Sequence, residues 1–186
     1  ATETKSGVLD ISGDEIRNVL SGLKTIDDIK KLITETLGMT KSHKISRILE
    51  VMLAGGLSSE ASDVHIEPGE KSVRLRYRLD GVLIDITEFD TATYDLLLSR
   101  IKLTSGLKIN IKDKAQDGRF SVHIDENDVE IRASMLPGAY GESIVLRILN
   151  PKTIALRMEE LGIEKKLFNV LEKEIKKPNG MILTTG

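Results

Sequence analysis

Arginine is the residue type with the most chemistry to offer in this sequence, and its placement is patterned. Arg132 lies in VEIRASML, where period-two alternation puts Glu130, Arg132 and Ser134 on one strand face and Val129, Ile131 and Ala133 on the other. Its guanidinium therefore points away from the apolar side. Arg147 lies in SIVLRIL among mostly apolar neighbours, where a guanidinium needs a partner or a cleft. Taken singly, each reads most simply as a salt bridge on a solvated sheet face. Arg74, Arg76 and Arg78 form a basic stripe along one strand face. Asp63, Glu67 or Asp85 on neighbouring strands can balance it, and an anion or partner site is the other reading. Arg119 follows Asp117-Gly118, which reads as a turn into a strand, and is a further phosphate or interface candidate.

Other constellations are weaker. His65 and Glu67 share a strand face as two metal ligands would, but the only other histidines are His43 and His123 and there is no cysteine, so no metal site is expected. No Ser/His/Asp or Cys/His set can be assembled with any specificity. The chain closes on PNGMILTTG, residues 178–186. Pro178 and Gly180 stop a helix, Met181 to Leu183 read as a short buried strand, and Gly186 follows. A phosphate-binding G-x-x-x-x-G-K-[ST] loop is approached in that way, although only the strand and the first glycine are present. By itself this is simply an edge or truncated strand.

The elements that must position these groups alternate in type. Ser12 caps a helix carrying Ile16, Val19, Leu20 and Leu23, and Thr25 with Asp28 opens a second carrying Ile29, Leu32, Ile33 and Leu37. A third helix has Ile45, Ile48, Leu49, Met52 and Leu53 on one face and is expected to end at Gly55-Gly56. Strands follow at 63–67, 72–80 and from Val82, with Pro68-Gly69 and Asp80-Gly81 as turns. A helix from Thr91 to Ser105 buries Tyr94, Leu97, Leu98 and Ile101. Strands at 120–125, 129–136 and 142–149 come next, and a last helix carries Ile163, Leu167, Val170, Leu171 and Ile175. Helices with antiparallel strands that have one wet face define an α+β domain. The expected organisation is a helical lead-in over 1–39, a domain over 40–150, a linker over 151–162, and the start of a further domain over 163–186.

Composition narrows the function. With 27 Lys+Arg against 29 Asp+Glu the net charge is −2, which argues against a general nucleic-acid binder. Aromatic residues at 3% with no Trp leave little for base stacking. No cysteine is present, which excludes a disulfide framework and is compatible with the cytoplasm. No run approaches the length and apolarity of a membrane span, so no direct membrane insertion is expected.

The stretches ASDVHIEP, VRLRYRLDGVL, SRIKLTSGLKI, QDGRFSV, VEIRASMLP, YGESIVLRIL and PNGMILTTG occur in this order and resemble the ATPases that drive type II secretion and type IV pilus assembly. The resemblance runs from about His43 to Gly186, and SDVHIEP with the DG hairpin is closer to the secretion and pilus-extension branch than to the retraction motors. It departs at INIKDKA, residues 109–115, where the family has a different charged run, and residues 1–42 match nothing in it.

The resemblance implies a PAS-like sandwich preceding a motor domain, with Gly186 opening the Walker A loop. It implies that Arg132 and Arg147 reach the terminal phosphates of ATP when the two domains close, as a permanently charged fork suits a transferring phosphoryl group. It further implies ATP and magnesium as cofactors, a homohexamer in which this domain packs on the next subunit's motor domain, inner-membrane platform proteins of a secretion or pilus system as partners, and a cytoplasmic location peripheral to that membrane. The 186 residues alone are expected to be without ATPase activity, because no loop lysine or acidic water-activating residue follows Gly186. The competing class is a non-enzymatic PAS-like adaptor or ligand-binding module.

Overall fold

Alternating strands with one apolar face must bury it against a second layer, and in the computed structural model helices supply that layer. It describes residues 7–10, 25–39, 44–124, 127–150 and 158–185. The expected helix over 12–23, His43 and Gly186 lie outside the described residues. The elements are β1 (Val8–Asp10), α1 (Ile26–Leu37), α2 (Lys44–Ser58), β2 (Asp63–Pro68), β3 (Val73–Leu79), β4 (Val82–Phe89), α3 (Thr91–Thr104), β5 (Gln116–Ile124), β6 (Asn127–Gly138), β7 (Gly141–Leu149), a 3-10 turn (Met158–Leu161) and α4 (Lys165–Ile175). The chain divides into two units, residues 1–150 and 151–186.

The first unit is α+β. Its seven strands form one open sheet in the order β1-β5-β6-β7-β2-β3-β4, antiparallel throughout except for β1 beside β5. One face carries Val64, Ile66, Leu75, Tyr77, Ile131, Met135, Ile144 and Leu146, all fully buried, together with Leu97, Ile101 and the apolar stripe of α2. Residues 1–39 contribute to this core where they are described, through Leu9, Ile29 and Ile33. Thr25 and Asp28 make the expected reciprocal capping box at the start of α1. At the hairpin between β3 and β4, Asp80 and Gly81 both take positive φ, the conformation that a two-residue type I′ turn requires.

Three expectations are corrected. Gly55-Gly56 does not end α2, which runs on to Ser58. These glycines are there for space: a Cβ on Gly55 would stand 2.8 Å from Ile29 Cγ2 and 2.9 Å from the Tyr77 hydroxyl, and one on Gly56 would stand 3.1 Å from Ile148 Cδ1. Asp117-Gly118-Arg119 is not a turn but lies inside β5, which starts at Gln116. Gly118 fits there because a Cβ would meet the Ser105 carbonyl oxygen at 2.5 Å, so the preceding loop can lie directly on the strand. Met181 to Leu183 are neither strand nor buried; their exposures are 90%, 49% and 79%, and none of the described strands pairs with them. An apolar run becomes a strand only when a neighbour supplies the hydrogen bonds.

The second unit is an amphipathic helix, α4, with the chain on either side of it. None of its residues is buried, and Leu167, Val170 and Ile175 are more than half exposed.

Candidate functional site

The sheet has a second, polar face, and the register of its strands draws the patterned arginines into a line. Arg119 is opposite Arg132, Arg132 opposite Arg147, Arg147 opposite Asp63, and Asp63 opposite Arg78. Residues directly opposite on one face are neighbours, with adjacent strands roughly 4.8 Å apart. Four guanidinium groups and one carboxylate thus share a single row across β5, β6, β7, β2 and β3. The rows on either side are mixed, with Ser121 and Glu130 in one and Asp117, Ser134, Val145, His65 and Arg76 in the other.

How each guanidinium is tied down separates them. Arg76 donates through Nη2 to both oxygens of Glu67, at 2.7 and 2.6 Å. Arg78 approaches Asp63 Oδ2 through Nε at 3.3 Å and donates through Nη1 to the Gly81 carbonyl at 3.0 Å. Terminal groups of both side chains are therefore occupied, and the stripe on β3 behaves largely as the balanced face that Asp63 and Glu67 allow; Arg74, at the end of the stripe, is exposed. Arg132 and Arg147 differ. Arg132 donates through Nε to Glu130 Oε1 at 3.2 Å, and Arg147 through Nε to Asp63 Oδ1 at 3.0 Å. Among the described residues neither has a partner for its two terminal nitrogens, and the side chains are 67% and 64% exposed. Beside them lies a groove of about 340 Å³ on β5, β6 and β7, lined by Val145, the backbone at Gly118 and Ala133, and the side chains of Asp117 and Ser134. Ser134 Oγ donates to Asp117 Oδ1 at 2.6 Å, which keeps that carboxylate engaged within the sheet.

A pair of forks with free terminal N–H groups, in adjacent register, is an arrangement suited to a bidentate oxyanion such as a phosphate. The acids beneath them are set as anions. Burial would raise the Asp63 carboxyl, but hydrogen bonds from Arg147 and Ser62 and the charge of Arg147 outweigh it and hold it below its ordinary value. Glu67 is likewise lowered, the bonds and charge of Arg76 overcoming burial. His65 is held below its ordinary value by burial, with Arg78 and Arg76 adding to the effect against Glu67 and Asp63. No group of three His, Asp or Glu side chains placed to hold a metal ion occurs among the described residues.

Sequence reasoning missed two features. Asp63 was expected to balance the β3 stripe, and it does pair with Arg78, but that it also holds Arg147 could not be read locally, since Arg147 lies 84 residues away. The other is a buried ion pair, Lys102 with Glu142, at 2.6 Å and with side chains 1% and 3% exposed. Lys102 also donates to the Ile111 carbonyl at 2.7 Å, and the Tyr94 hydroxyl donates to the Glu142 carbonyl. A signal for it was present: Glu142 shares its period-two face with Ile144, Leu146 and Ile148, and Lys102 follows Leu98 by one helical turn.

A mostly antiparallel sheet domain that bares two arginine forks on its polar face, followed by the helix of a separate unit, defines an α+β module suited to meeting an anion. Residues 39–186 match the model of the Type II/IV secretion system protein family, and the chain belongs to that family. It is 40% identical over 142 residues to the type II secretion system protein E of Aeromonas hydrophila, covering 76% of this chain and 28% of that protein. It is 38% identical over 179 residues to the type II secretion system protein E of Pectobacterium carotovorum subsp. carotovorum, covering 93% and 36%, so the likeness extends into residues 1–42, which were expected to match nothing in the family. With the type II secretion system ATPase E of Vibrio cholerae serotype O1 the figures are 36% over 142 residues, 76% and 28%. The chain spans about a third of the length of these relatives. No helix among the described residues is long and apolar enough to cross a membrane.

Proposed function

We propose that this chain is the pre-motor domain, with the opening helix of the motor domain, of an ATPase that powers type II secretion. In this reading the domain is PAS-like, residues 151–162 are the hinge, and Gly186 begins the Walker A loop at which ATP and magnesium bind. The bound nucleotide supplies the phosphoanhydride whose cleavage drives the cycle. Arg132 and Arg147 meet its terminal phosphates when the domains close and lose that contact after hydrolysis, so the pre-motor domain moves with nucleotide state. The moving parts work within a homohexamer, docked on inner-membrane platform proteins from the cytoplasmic side. Arg119, next in the row, is a secondary phosphate or interface contact.

The observation that carries this reading is the difference among the arginines: in a chain of this family, only Arg132 and Arg147 on the register row combine an anchored Nε with free terminal nitrogens beside a groove. The test is ATP turnover by the full-length protein with Arg132→Ala and Arg147→Ala. Loss of turnover with the fold intact supports it; normal turnover in both variants overturns the phosphate role.

A further inference from the structure

Asp63 is a charged side chain at the centre of the sheet, 5% exposed, that the phosphate role of the arginines leaves without a function. Burying a carboxylate is costly unless it is fully paired. Its partners come from both sides. Oδ1 accepts from Arg147 Nε on β7 at 3.0 Å, while Oδ2 lies 3.3 Å from Arg78 Nε on β3 and accepts from Ser62 Oγ at 2.9 Å. Glu130, the partner of Arg132, is different in kind: it sits two residues away on the same strand, 39% exposed, at 3.2 Å. One arginine is gripped by a buried anion fixed from two neighbouring strands, and the other is held by a solvated one.

A guanidinium held by its Nε edge keeps its planar fork free while losing most of its rotational freedom, which is the condition for bidentate contact at low entropic cost. We propose that Asp63 is the positioning residue for Arg147, aiming its terminal N–H groups at the outermost phosphoryl group of a nucleoside triphosphate. Through Arg78 the same carboxylate ties that aim to β3. The proposal rests on the reading of Arg147 as a phosphate contact. It also separates two roles by sign. A carboxylate that merely balances charge weakens anion binding, so its neutralisation would tighten ATP and ADP alike. A positioning carboxylate does the reverse for ATP and leaves ADP untouched.

The experiment is a double-mutant cycle in the full-length protein, with kcat, KM and the ATP-over-ADP affinity ratio measured for Asp63→Asn, Arg147→Ala and the pair. Asp63→Asn is expected to lower kcat and the affinity ratio by about tenfold to a hundredfold, with ADP affinity unchanged, and to add nothing once Arg147 is alanine. An effect of Asp63→Asn that persists in full beside Arg147→Ala, or a rise in affinity for both nucleotides, overturns the proposal. If Arg147→Ala itself changes nothing, the phosphate reading beneath it fails instead. Should Asp63→Asn not fold, the unmodified protein still decides: the Arg147 Nε–Hε proton should exchange with water at least about tenfold more slowly than that of Arg132, and equal rates would overturn the positioning role.

Discussion

A guanidinium has five N–H donors, and what distinguishes one arginine from another on this sheet is which of them the protein has already taken. Arg76 and Arg78 have terminal nitrogens engaged by Glu67 and Gly81, so truncating either should act on the sheet rather than on a ligand. For Arg147, substitution by lysine keeps the charge but removes the fork. Turnover of the full-length Arg147→Lys enzyme should fall by on the order of 10²-fold or more, while its melting temperature should fall by no more than about 2–4 °C, the cost of losing the Nε bond to the buried Asp63. A steady-state ATPase assay paired with a thermal melt checks both. The partly buried His65 makes a second prediction. Its Nε2 has no partner among the described residues, and its folded pKa lies below the ordinary 6.5. The unfolded chain therefore binds the proton more readily, and stability should be full above pH 6.5 and decline as the pH falls below it. Asp63 and Glu67, whose folded values lie below 3.8 and 4.5, add their losses only as the pH falls beneath those figures. Urea midpoints measured between pH 8 and pH 5 should drop in the parent and stay level in His65→Asn; an equal drop in both would exclude His65 as the cause.

At the scale of elements, two contacts decide how helices sit on the sheet. The close approach of α2 requires Gly55, and Tyr77 completes it by donating to the Met52 carbonyl at 2.6 Å. Alanine is the better helix former by about 1 kcal/mol, yet Gly55→Ala should destabilise the domain by about 1–3 kcal/mol because its methyl group meets Ile29 and the Tyr77 hydroxyl. A stabilised variant in a denaturant melt would show that α2 can shift outward at little cost. The ion pair of Lys102 and Glu142 joins α3 to the start of β7 and, through the Ile111 carbonyl, to the loop before β5. Lys102→Met alone strands a buried carboxylate and should cost about 3–5 kcal/mol, whereas Lys102→Met with Glu142→Leu should recover most of it. Equal losses in the single and double variants would contradict this account.

At the scale of the whole molecule, the two units differ in what holds them. Strands β6 and β7 lie inside the sheet over a continuous core, whereas α4 is an 11-residue helix without a buried side chain. A helix of that length has little stability of its own. Amides of α4 in the 186-residue chain should exchange with solvent several orders of magnitude faster than those of β6 and β7, as mass spectrometry of exchanged peptides would report. Comparable protection in both would show that α4 has a packing partner. Under the proposed function, ATP hydrolysis should be absent from the 186 residues and present when they are carried in the full-length protein; turnover by the purified chain itself would overturn the proposed placement of catalysis in a motor domain.

Much of this protein was legible from the order of its residues. Alternation and helical spacing are local properties, so the chain order determined the main strands, α1 to α4, the capping box at Thr25 and the Asp80-Gly81 turn, and with them an α+β domain. Seven ordered motifs led to the family that the family model then matched. Glycine was where local reading failed, at Gly55-Gly56 and at Gly118, because a missing Cβ serves either a turn or a close approach, and only the neighbour across the gap tells which. The short parallel β1 was equally hidden, since three residues carry no usable period. The tertiary structure alone decided which arginines are free. The stripe of Arg74, Arg76 and Arg78 was expected to be balanced by neighbouring acids, but which donors each guanidinium keeps free is set by strand order and register, which bring Asp63 between β7 and β3 and leave the forks of Arg132 and Arg147 without protein partners among the described residues.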